Sequence, residues 1–95
     1  MEARDFADLL RAEGFSEPMP RSLPAGQSAP EHSHEFDAKG LILSGAFTLT
    51  VDGVATTYRP GDVFSMPAVR RHAEKVGPEG VDYLAARRQP TGMKS

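Results

Sequence analysis

Three histidines carry most of the chemistry that this 95-residue sequence offers. His32 and His34 stand two apart in the segment 26–45, GQSAPEHSHEFDAKGLILSG, and His72 closes the segment 61–72, GDVFSMPAVRRH. There is no cysteine, so thiolate ligands, disulfides and cysteine nucleophiles are excluded together. Imidazole is the commonest metal ligand near neutral pH. Side chains two apart on an extended strand share a face, so His32 and His34 can point into one cavity. His72 joins them if the fold lays its strand alongside. A lone histidine is more often an ordinary packed or surface residue. A same-face pair with a third histidine in an answering segment favours a metal site.

Around these three, a few side chains are candidates for pocket or supporting roles. Glu74 has the parity of His72 and faces inward if that strand is regular. A buried carboxylate must be paired, hydrogen-bonded or protonated, and Glu74 could orient a ligand histidine from behind. Asp37 has odd parity to His34, which turns it away unless a bulge re-aims it; a loop cap is the favoured role. Glu31 and Glu35 face outward by the same count. Phe47, Tyr58 and Met66, with Leu49 and Phe64, read as core or pocket lining, Tyr58 with a hydroxyl to offer. Arg70 and Arg71 precede His72 at the expected mouth, where they could attract an anion, although a solvated loop pair is favoured. Arg87 and Arg88 close the last strand with no assigned role.

The elements that must position these groups are short. Residues 2–13 form an amphipathic helix: Ala3, Phe6, Ala7 and Leu10 make one stripe, and Gly14 ends it. Residues 16–30 hold Pro18, Pro20, Pro24 and Pro30, so Met19 to Leu23 reads as an edge segment. Strands follow at Leu41–Leu43, Ala46–Val51, Val54–Arg59, Val63–Met66, His72–Val76 and Val81–Arg87, with Asp52-Gly53 as a tight hairpin turn. Gly77 to Gly80 reads as a turn, and 89–95 as a frayed tail. Short strands at close intervals indicate an antiparallel barrel or sandwich in a single domain.

Eleven basic and thirteen acidic residues leave a formal charge of −2. Neither nucleic acid nor a membrane is expected as a partner, since basic and aromatic residues do not interleave and no apolar run is long enough to span a bilayer. The first residues are too charged for a signal peptide, and a cytoplasmic location is expected.

The two histidine segments resemble the two motifs of the cupin superfamily. Gly26, His32, His34 and Gly45 occupy the first, and Gly61, Pro67 and His72 the second. Ala38 stands where the first motif has its glutamate, and Val69 and Val76 stand where the second has glycine and asparagine. The resemblance implies an all-β fold, a small jelly-roll-like cupin barrel with a short N-terminal helix that covers one end, paired as a homodimer through sheet edges. It implies one divalent metal (iron, manganese, nickel or zinc) held by His32, His34 and His72 without a carboxylate. Some cupin dioxygenases use three histidines alone, so the implied function is a metal-dependent, dioxygenase-like enzyme. Its more positive site would suit a small anionic molecule. The alternatives are a non-catalytic ligand-binding or sensor cupin working through a partner, and a degenerate cupin that has lost its metal.

Overall fold

Residues 1–90 are described by a computed structural model of the chain. Helix α1 (Ala3–Ala12) precedes β1 (Met19–Leu23), β2 (Ser28–His32), β3 (Asp37–Val51), β4 (Val54–Tyr58), β5 (Val63–Met66) and β6 (His72–Arg88). All six strands belong to one antiparallel sheet. The expected all-β, jelly-roll-like architecture with a short N-terminal helix is what the chain adopts. Gln89 and Pro90 follow β6 without regular structure, and the rest of the expected tail, 91–95, lies outside the described residues.

Two strands differ from expectation. The pieces on either side of Gly45 are one bent strand, β3, and those on either side of Gly77–Gly80 are another, β6. The two pair along nearly their whole length, with register shifts between Ile42 and Ser44 and between Gly45 and Phe47. Gly45 takes a φ of +79°, and a Cβ there would run into the Gly80 carbonyl oxygen; only glycine permits that approach. The bulges explain why a period-two count fails across this point. Ile42 and Phe47 are five apart, yet both face the same core.

Each long strand therefore serves two faces. The first half of β3 lies between β5 and the second half of β6, which β1 flanks. The second half of β3 lies between β4 and the first half of β6, which β2 flanks. Ile42, Phe64 and Val81 from one face meet Phe47, Leu49 and Val76 from the other in a single core. The expected barrel is not closed: among the described residues no ladder joins β4 or β5 to β1 or β2. Pro20 in β1 and Pro30 in β2 lack backbone donors, which suits open edges. At the opposite edge, Asp52 and Gly53 take φ of 52° and 78° at the β3–β4 turn, as the hairpin signal requires.

Helix α1 does not cap a barrel end. It lies on the outer face of the β3–β6 pair, where Phe6 and Leu10 are fully buried against Leu41 and Ala86. Burying each large side chain contributes about 1.5–3 kcal/mol, which anchors a helix of ten residues too short to persist alone. Phe15 folds back after Gly14, its N–H donating to the Leu10 carbonyl at 2.9 Å. No helix among the described residues is long and apolar enough to cross a membrane.

Candidate metal centre

The ends of β2 and β6 build the site. His32, the last residue of β2, pairs directly with His72, the first of β6, and their rings lie 4.5 Å apart. His34 falls beyond β2, so strand period alone does not aim it. Its carbonyl accepts the Val69 N–H at 2.7 Å, and its ring stacks on Phe36 with centroids 4.8 Å apart. That places the His34 ring 4.9 Å from His32 and 5.2 Å from His72. The three histidines converge.

A carboxylate joins them from the place where regular strand parity puts it. Glu74 faces inward with His72, and its Oε2 lies 3.3 Å from His32 Nε2 and 3.4 Å from His72 Nε2. One donor atom from each of His32, His34, His72 and Glu74 falls within 4.8 Å of all the others. Donors around one metal with bonds of about 2.1 Å lie no more than about 4.2 Å apart, so small rotations would close the group on a point. The three-histidine site implied without a carboxylate thus has one within reach, supplied by position 74. Ala38, at the usual glutamate position, only borders the cavity.

Backbone carbonyls set the tautomers. His32 Nδ1 lies 2.8 Å from the Pro30 carbonyl oxygen and His72 Nδ1 2.9 Å from that of Arg70. A carbonyl can only accept, so both Nδ1 atoms carry hydrogen, and in the neutral imidazole form each Nε2 lone pair faces the centre. Burial holds His34 below the usual imidazole pKa; the neighbouring His32 and His72 add to this, and the Glu74 carboxylate opposes it. His34 therefore keeps its lone pair to lower pH than a free histidine. Nitrogen and carboxylate donors of this kind suit iron, manganese, nickel or zinc.

Asp37 is the loop cap, not a member of this group. Its Oδ1 accepts the Ala68 N–H at 2.8 Å and its Oδ2 accepts from Arg88 at 2.9 Å, which together hold its pKa below the usual range. The same loop donates Val69 N–H to His34 and accepts from His72 at the Arg70 carbonyl. Asp37 thus secures the loop that aims two histidines. Val69 adopts a φ of +58° there, a strained conformation for a β-branched residue.

The histidines open into a cavity of about 310 Å³ that Phe47 and Met66 border. Tyr58 borders a separate outer groove, its ring edge-on to Phe64 at 6.0 Å. Arg70 and Arg71 do not face the cavity; they pair on the surface with Asp52 and Glu31. The cations that border it are Arg21, Arg87 and Lys39, and Lys39 is tied to Glu13 at 2.8 Å. Arg21, Tyr83 and Arg87 escaped the sequence because their common face depends on the β1–β6 register, in which Arg21 lies opposite Tyr83.

The chain resembles several known structures in fold. It superposes on the cupin domain of Schizosaccharomyces pombe Cnp3 with a TM-score of 0.69 and 22% identity, covering 82% of this chain and 58% of that one. This chain therefore spans little more than half of that structure. A conserved Streptococcus pyogenes protein of unknown function, SPY1581, gives 0.65 at 29% identity over 83% of this chain and 68% of that one. The DMSP lyase DddQ of Ruegeria pomeroyi gives 0.68 at 22% identity over 85% and 41%. No curated protein sequence matches the chain. The family described as cupin domain matches residues 21–82, a span that contains all three histidines and Glu74. The chain belongs to the cupin domain family.

Proposed function

We propose that this protein is a metal-dependent enzyme acting on a small anionic molecule in the cavity beside His32, His34, His72 and Glu74. One observation carries the proposal. With Nδ1–H of His32 and His72 donated to carbonyls, Nε2 of both rings and the Glu74 carboxylate converge beside His34, and in the neutral imidazole form these Nε2 atoms are acceptors. Neutral imidazole nitrogens facing a carboxylate repel it unless a cation lies among them, and a divalent metal would satisfy these three acceptors and His34 at once. A bound metal would supply Lewis-acid activation of a substrate oxygen or of water, or redox chemistry if it is iron. The protein's own part is to hold the four donors, exclude water with Phe47 and Met66, and leave the cavity side open.

Glu74 changes two expectations. A carboxylate in the donor group offsets part of the metal's charge, so the preference for an anion falls to the cavity wall. The analogy to three-histidine dioxygenases also loses its ligand count, leaving dioxygen chemistry as one class among several.

Elemental analysis of untagged protein beside His72→Ala tests the proposal. The expected result is near-stoichiometric metal in the parent and its loss in the variant, with dioxygen uptake then distinguishing oxygenase from Lewis-acid chemistry. A parent that binds no metal, even after incubation with iron, nickel or zinc, overturns it.

A further inference from the structure

The inner wall of the cavity carries a second group of polar side chains, on β1 and β6. Arg21 stands opposite Tyr83 in the β1–β6 ladder, and Arg87 lies four residues beyond Tyr83 on the same face. Ala85 between them is small, and all four residues border the cavity with the histidines. The Arg87 guanidinium stacks 4.2 Å over the Phe36 ring, and Phe36 in turn stacks on His34. This stack fixes the plane of the guanidinium and leaves its edge N–H groups free to donate.

The arginines that border the cavity have no carboxylate of their own. Arg11, Arg70, Arg71 and Arg88 each meet a carboxylate within 3.2 Å. Among the described residues, Arg21 and Arg87 meet none, as is also true of the exposed Arg4 and Arg59, but only Arg21 and Arg87 border the cavity, where neither guanidinium nor the Tyr83 hydroxyl has a hydrogen-bond partner. Two unpaired guanidinium forks and a hydroxyl on one wall match the two oxygens of a planar carboxylate.

We propose that the cavity binds a small carboxylic acid, its charged end held by Arg21, Tyr83 and Arg87 and a second oxygen donor turned toward the histidines and Glu74. The second half rests on the metal-centre reading; the first does not.

Calorimetry with two probes tests it. Malate and 2-hydroxybutyrate share the α-hydroxy acid end, but only malate has a second carboxylate. Zinc-loaded parent is expected to bind malate about tenfold more tightly, the value of one charge-assisted recognition contact. Arg21→Gln with Arg87→Gln is expected to erase that advantage while zinc content stays at the parental level. Tyr83→Phe is expected to reduce it by a smaller factor. Equal affinity for the two probes, or a malate advantage that survives the double variant, overturns the proposal. Glutarate added to metal-free protein reads the arginines alone: binding lost in the double variant supports their role even if no metal is ever held, and binding that persists overturns it.

Discussion

The two faces of the β3–β6 pair make opposite uses of the same strands. On the outer face, Leu41 and Ala86 lie sealed beneath Phe6 and Leu10, and the nearby charges are matched: Lys39 with Glu13, Arg88 with Asp37. On the inner face, the strands line an open cavity with two unpaired arginines and a cluster of possible metal-ligand atoms. A closed apolar contact with paired ions holds the fold together. A solvated cavity with unmatched polar groups costs stability and is retained where a ligand supplies what is missing. The faces are expected to fail in different ways.

The largest effect is on the outer face. Phe6→Ala removes a fully buried ring and is expected to cost about 3–5 kcal/mol. For a domain this small that is much of the total stability. Urea unfolding will show it; a loss under 1 kcal/mol would break the claim that α1 anchors the sheet. Glu74→Gln comes next and belongs to the inner face. Metal affinity is expected to fall about ten- to a hundredfold while the denaturation midpoint of the metal-free protein changes little. Unchanged affinity would remove Glu74 from the donor group.

Asp37→Asn tests the join between the faces, because Asp37 ties Arg88 to the Ala68–Arg70 loop. Losing charge-assisted bonds there is expected to cost about 1–2 kcal/mol at neutral pH. The sign with pH follows from the depressed folded-state pKa. The contribution is fully present above the unfolded carboxyl value near 3.9 and is lost as pH falls through the lower folded value. The parent–variant gap should therefore narrow only in acid. A gap constant from pH 7 to pH 2 would refute the assignment. The smallest effect is a gain: Val69→Gly relieves a left-handed strain of about 1–2 kcal/mol, partly offset by the entropy of glycine. Thermal denaturation is expected to show a rise of a few degrees with metal content unchanged, and no rise would mean that Val69 is unstrained.

Much of this was legible in the chain. The helix stripe, the edge segment from Met19 to Leu23 and the Asp52-Gly53 turn depend on neighbours a few residues away, and each stands where its pattern put it. His32, His34 and His72 could be singled out because they are the only histidines and their spacing matches two motifs. Glu74 was legible too, through its parity with His72, although as a supporting residue. Arg70 and Arg71 sit as the favoured solvated loop pair, held on the surface by Asp52 and Glu31 rather than facing the cavity.

By itself the sequence determined an antiparallel barrel or sandwich and the identity of three candidate ligands, since periodicity, turn chemistry and residue type are local properties, while the jelly-roll-like form was what the resemblance to the two cupin motifs implied. Only the tertiary structure decided that β3 and β6 run unbroken through their bends, that the sheet stays open, and that the helix covers a face rather than an end. It also brought Glu74 to the histidines and gathered Arg21, Tyr83 and Arg87 on one wall. Those outcomes depend on register between strands whose paired residues, such as Met19 and Ala85, lie more than sixty positions apart, and bulges that shift register by one residue cannot be counted along a single chain.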